Sequence, residues 1–181
     1  MIELPEDSYS PTLQNDDRPA TPLIGSERET LTTVLDFQRR TFELKFTGVP
    51  RERFSEKAIP PSDLSFHGLV RHLAGVERWW FRQQFAGEEV PMLFFTVEHP
   101  DADFEDLDGD IDEAIVVWRS ECGAARAVVA AADSLDATGV QFRTGQPISL
   151  RTILVHTIAE YARHNGHADL LREQIDGSIG F

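Results

Sequence analysis

The sequence predicts an all-α protein built as a four-helix bundle. Three observations carry that expectation: four amphipathic segments at helical spacing, Gly and Pro signals between them, and no alternating segments that could form a sheet. Residues 1–25 hold four prolines and several acids with little periodicity, so they read as an irregular arm ahead of a bundle domain over 26–181. Ser26-Glu27-Arg28-Glu29 is a capping box and predicts a helix over 26–47. Leu31, Val34, Leu35, Phe42 and Phe46 form its apolar face, and Gly48 and Pro50 end it. Residues 50–62, with Pro50, Pro60 and Pro61, read as a loop.

The second helix is predicted over 63–86. Leu69, Leu73, Val76 and Trp80 recur at 4, 3 and 4, a core-facing stripe, and Gly87 closes the segment. Residues 88–109 show no helical period, and the stretch 98–113 holds nine acids. A connection of this length suggests a crossover along a bundle rather than a tight hairpin. Asp110 and Glu113 supply another capping signal, and a third helix is expected over 111–132 with Ile115, Trp118, Cys122, Ala125 and Val129 on one side. A loop around Gly139 and Gly145 leads to the fourth helix, 148–176, which Gly177 stops.

A length of 181 residues fits one bundle domain with a proper core, and 41% hydrophobic with 27% charged residues is ordinary for a globular protein. The net charge of −14 is not ordinary. It argues against nucleic acid and against an anionic membrane surface, both of which require clustered Lys and Arg. A single cysteine, Cys122, excludes an internal disulfide and a cysteine-based zinc site, and it reads as a small buried hydrophobe. No apolar run reaches membrane length and no signal-peptide pattern opens the chain, so the expected location is cytoplasmic.

The last helix carries the chemistry. His156, Glu160, His164 and His167 stand at spacings of 4, 4 and 3. At about 100° per residue they fall within roughly 80° of one another. Ile153, Leu171 and Ile175 lie on the same side, so a core-facing stripe is apolar at its ends and ionisable in its middle. Buried ionisable groups are normally paired or metal-bound, and a metal or a polar cavity accounts for the column. His72 sits at the edge of the second helix's stripe, where a bundle can bring it opposite the column. Two imidazoles and a carboxylate from two helices make a three-ligand site with an open position. With no thiolate ligand, Zn, Ni, Fe(II), Co and Mn all suit such a set. His156 and His167 fit better as hydrogen-bonding or pocket-wall residues. His67 points to a different side of its helix, and the acidic run 101–112 reads as a solvated loop, because Asp106 stands where a calcium loop starting at Asp101 needs glycine. Trp79, Trp80 and Phe81 read first as core packing and second as pocket lining. No nucleophile elbow, zincin, Walker or dinucleotide-binding motif occurs, and no paired Glu-x-x-His set of the di-iron type.

FHGLVRHLAGVERWWF in the second helix and ILVHTIAEYARHNGHADLLREQIDG in the fourth resemble the DinB/YfiT-like superfamily of metal-binding four-helix proteins, over about residues 26–177. The resemblance implies an up-down-down-up bundle with a long crossover between helices two and three. Many members use one histidine on helix two and a His-x-x-x-His pair on helix four. Laid on this chain, these fall on His72, Glu160 and His164, with Glu160 in place of the first histidine of the pair. The mycothiol-dependent maleylpyruvate isomerases are similar in using a His/Glu/His set. Characterised members are thiol-dependent transferases or isomerases that use mycothiol or bacillithiol.

The expected function is therefore a metal-dependent transferase of detoxification type, with His72, Glu160 and His164 holding a divalent metal, zinc or nickel foremost. A low-molecular-weight thiol would be its co-substrate. His167 or His156 would orient a ligand or move a proton. Partners would be small molecules, with a homodimer left open. A binding module without turnover and a metal-dependent hydrolase are the alternatives.

Overall fold

The computed structural model describes residues 17–179. Residues 1–16 of the expected arm and 180–181 of the expected bundle domain lie outside the described residues. The protein is mostly helical, as an all-α class requires. Helix α1 spans Glu27–Phe46, and its Ser26 cap accepts the Glu29 backbone N–H at 3.2 Å. Helix α2 spans Phe66–Glu77 and runs on as a π-helical segment, Arg78–Phe85. A short helix α3, Ala102–Glu105, comes next, and α4 covers Ile111–Ala131. Strands β1, Thr138–Gln141, and β2, Gln146–Ser149, pair antiparallel and lead into α5, Leu150–Asp176. α5 ends at Gly177, whose φ of 77° is the left-handed cap that glycine adopts without strain. α1 packs chiefly on α5, and α2 on α4.

The core is aromatic at its centre, where the Phe42 ring stands edge-on to Phe46, Trp118 and Tyr161. Beside these rings lies a charged group. The Glu77 carboxylate is 0% exposed. It accepts two hydrogen bonds from Arg39 (Nε to Oε1 at 2.8 Å, Nη2 to Oε2 at 2.6 Å) and one from the Tyr161 hydroxyl at 2.8 Å. Trp118 Nε1 donates to that hydroxyl at 2.8 Å, and the Cys122 thiol lies 3.6 Å from Glu77 Oε1. Burial works against the Arg39 charge, but the adjacent Glu77 raises its pKa well above the ordinary value, so the guanidinium stays charged in the core. Burial, and then the Glu77 charge, push the Cys122 thiol far up.

Three features depart from expectation. First, the core stripe on α2 slips. Leu69 and Leu73 are buried as expected, but Phe81 rather than Trp80 takes the next core position. The cause is the π turn, in which the Ala86 N–H bonds to Phe81 O, five residues back, at 3.0 Å. The wider turn rotates this end of the helix, which leaves Trp79 and Trp80 half-buried, Trp80 packed against the edge of the core. Second, the predicted loop around Gly139 and Gly145 is the β1–β2 hairpin. Its strand β1 lies directly on the π segment: a Cβ on Gly139 would stand 2.1 Å from Gln84 O. Third, the acidic connection is not wholly solvated. Phe104 and Phe95 rest on Gly68 and Gly75, two glycines on one face of α2, where a Cβ would meet each ring at 2.8 Å. Arg71 of α2 donates to the backbone carbonyls of Ala102 and Asp106 and pins α3 in place. Of the nine acids in 98–113, Asp103 alone is buried.

The Arg39–Glu77 pair generates a stability prediction. Arg39→Met leaves a buried carboxylate without its cation, and the expected loss is about 3–5 kcal/mol by urea denaturation. Replacing Glu77 by Gln in the same chain should recover part of it. A loss under about 1 kcal/mol for the single variant would show that the helices do not depend on the pair.

Candidate metal centre

His72 on α2 and Glu160 and His164 on α5 converge. Each offers a ligand atom, and these atoms all lie within 4.8 Å of one another. The His72 and His164 ring centroids are 4.7 Å apart, and His164 Nε2 lies 3.4 Å from Glu160 Oε2. Two donors of a tetrahedral ion with bonds of about 2.1 Å stand about 3.4 Å apart, so this pair is already at the spacing of a shared ion.

The surroundings suit such a role. His72 Nδ1 is 2.8 Å from Asp103 Oδ2. Donation from Nδ1 to this carboxylate leaves the lone pair on Nε2, the tautomer and orientation that a ligating histidine needs. Asp103 reaches His72 because α3 is docked on Gly68 through Phe104, one turn before His72 along α2, while Phe95 of the same connection rests on Gly75 beyond it. Its second oxygen, Oδ1, is buried and has no hydrogen-bond partner among the described residues. On the other side, Glu160 Oε1 accepts from Arg163 Nη1 at 3.0 Å and lies 3.5 Å from His156 Nε2. Burial first, then the neighbouring His72, His167 and Arg163, lower the His164 pKa to about 3. At neutral pH His164 is therefore an uncharged imidazole with a lone pair to give. The chemistry of the donor set, two imidazoles and a carboxylate, fits a divalent transition ion.

Two members of the trio open onto a cavity of about 650 Å³, in the usual range for small-molecule sites. His72 and Glu160 line it, with Trp79, Trp80, Phe95 and Phe142 as aromatic walls. His156 also lines it, its ring 4.4 Å from that of Trp80. His167 does not. It lies behind His164, Nδ1 to Nδ1 at 3.4 Å, where it can orient that ring. His67 sits apart, buried, with Nδ1 3.0 Å from Ser55 Oγ. Exposed His99 meets Glu105 at 2.8 Å within the acidic segment. Sequence reasoning missed Asp103. Its one distinguishing signal was local, an acid set between Ala102 and Phe104 in a run otherwise poor in apolar residues.

Asp103→Asn should weaken divalent-metal affinity by about 10–100-fold, read by competition with a chromophoric chelator, and unchanged affinity would remove Asp103 from the site. A second expectation concerns acid stability of the metal-free protein. Unfolded, His164 takes a proton below about pH 6.5. Folded, it stays neutral down to about 3. Between these values the unfolded state binds more protons, so stability falls as pH drops. His164→Gln removes that contribution, and its loss of stability below about pH 6.5 should be shallower, as measured by denaturation in the presence of chelator.

The sequence matches the family described as mycothiol-S-transferase over residues 30–177. No curated protein matches the chain. The family is itself DinB/YfiT-like, and the match takes in the four long helices and all three convergent side chains. On that match, covering most of its length, the chain belongs to the mycothiol-S-transferase family.

Proposed function

We propose that this protein is a metal-dependent transferase that joins a low-molecular-weight thiol, of the mycothiol or bacillithiol type, to small electrophiles in a detoxification-like reaction. The carrying observation is the convergence of His72, Glu160 and His164 beside an aromatic cavity, in a chain of the mycothiol-S-transferase family. These three residues would hold the divalent ion, with zinc or nickel the best candidates for this donor set. A bound ion supplies an open position that favours thiolate over thiol.

The remaining work falls to the chain. Asp103 holds the His72 ring in its ligating orientation, and His167 stands where it can do the same for His164. His156, within 3.5 Å of Glu160 and facing the cavity, is placed to take the thiol proton. The aromatic walls keep water from the sulfur and hold the electrophile against it, which is where positioning contributes to rate. A sulfur–carbon bond forms, the leaving group departs with its bonding electron pair, and the thiol proton passes to His156 and then to solvent. The family's up-down-down-up order belongs to the same reading. It is supported by the pairing of α1 with α5 and of α2 with α4, and by the long connection laid along α2. Among the described residues no helix is long and apolar enough to cross a membrane, in keeping with small, water-soluble partners in the cytoplasm.

The test is a panel of mycothiol, bacillithiol, glutathione and cysteine with a generic electrophile, using metal-loaded and chelator-treated protein. A thiol-dependent rate that chelator removes is expected. His164→Ala should lose stoichiometric metal and return the rate to background. Hydrolysis without thiol would replace this reading by a metal hydrolase, and no turnover with any thiol or metal would leave a binding module.

A further inference from the structure

The cavity also carries information about what enters it. Its walls are aromatic on two sides. Trp79 and Trp80 come from the π segment, and Phe142 comes from the hairpin turn. The Trp79 and Phe142 rings stand 5.4 Å apart at 84°, an edge-to-face corner that a flat ring can extend. Phe95 closes a further wall, its ring held against Gly75. Phe142 is 52% exposed, so part of its ring is open to whatever enters the cavity.

The charge around this cavity is polarised. Asp101 and Asp103 line it, and so does Glu160, whose charge a divalent ion held by the trio would offset. Arg143, next to Phe142, lines it too. Among the described residues every other arginine and lysine makes a hydrogen bond or ion pair, and Arg143 makes neither. In a chain of net charge −14, acids are plentiful, and a cation left without one beside an aromatic cavity is an anomaly with a direction.

We propose that the electrophile is a flat aromatic compound bearing a carboxylate or sulfonate, its ring held by Trp79, Trp80 and Phe142 and its anionic group by Arg143. This rests on the transferase reading. Arg143 orients the ring: the anionic group pairs with it, and the electrophilic carbon at the opposite end faces the trio, where Glu160 and a bound thiolate would together offset the charge of a divalent ion. A ring whose leaving group stands para to the acid meets that demand. With 4-chloro-3-nitrobenzoate, the thiol sulfur bonds to the ring carbon, chloride leaves with the electron pair, and the thiol proton goes to solvent. Arg143 is exposed, so its pairing with the anion is worth on the order of 1 kcal/mol, about fivefold in affinity.

The experiment begins without thiol. Binding of 3-nitrobenzoate and of its methyl ester to the metal-loaded protein is followed by quenching of tryptophan fluorescence. The acid should bind about fivefold tighter than the ester, Arg143→Gln should collapse that ratio toward one, and Phe142→Ala should weaken both ligands. Turnover of 4-chloro-3-nitrobenzoate and its ester with mycothiol should show the same preference in kcat/KM. Equal binding of acid and ester by the unaltered protein, or a preference that survives Arg143→Gln, overturns the proposal. Discrimination in binding without turnover by any thiol leaves the anionic aromatic site standing and removes the transferase reading. Turnover without discrimination does the reverse.

Discussion

The bidentate contact between Arg39 and Glu77 is the constraint on which the rest of the structure depends. It joins α1 to α2 in the buried interior, and Tyr161 from α5 and Cys122 from α4 close around the same carboxylate. Such a group is weak evidence for net stability, because desolvating the charges costs about as much as their attraction returns. What it fixes is register. A carboxylate with three polar neighbours has few alternative arrangements, and each would strand a buried charge. Tyr161 is adjacent to Glu160 and one helical turn short of His164, while Glu77 is five residues past His72. Locking Tyr161 on Glu77 therefore sets the height at which α5 presents its ligand-type side chains to α2.

Around the convergent trio each side chain is held from behind. Asp103 stands against His72, His167 against His164, and Arg163 with His156 against Glu160. The donors need little reorganisation to share an ion, because their partners already restrict rotation. The backing comes from separate elements. α3 supplies one partner and α5 the others, so the centre is only as ordered as the docking of the acidic connection on α2. That docking in turn relies on two missing side chains, at Gly68 and Gly75, and on the guanidinium of Arg71. Phe94, at the positive φ of 57°, is part of the same device. Its unusual backbone turns its ring onto Arg71, with 4.8 Å from guanidinium to ring centroid.

The long helices were legible in the sequence because their signals are local. Ser26 caps α1, Gly177 ends α5, and the apolar spacing of Leu69 and Leu73 survives in the fold. The column on α5 and its partner on α2 were legible for the same reason, since helical spacing alone puts His156, Glu160, His164 and His167 on one side. What was not legible is what depends on contacts between elements. The π turn moves Trp80 to the edge of the core and Phe81 into its centre, and nothing in a 3.6-residue period announces a slip of that kind. The hairpin's four-residue strands are too short for alternation to register, and their reason to exist is the groove that Gly139 enters. Asp103 is chemically identical to its acidic neighbours, and only the glycines of another helix single it out. Glu77 in the core is the same lesson in reverse, a charge on an apolar stripe whose partners are 38 and 84 residues away.

Cys122 is the chain's single cysteine, 3% exposed, its thiol far from ionising between Glu77 and Tyr161. A catalyst that brings activated sulfur and reactive carbon together lives with a hazard: the same electrophiles will alkylate any thiolate they can reach, and oxidised co-substrate will form mixed disulfides with it. Here the protein's own thiol offers neither access nor charge. On the proposed transferase reading, packing alone keeps this thiol out of reach of the electrophiles and disulfides that the reaction would bring to the cavity.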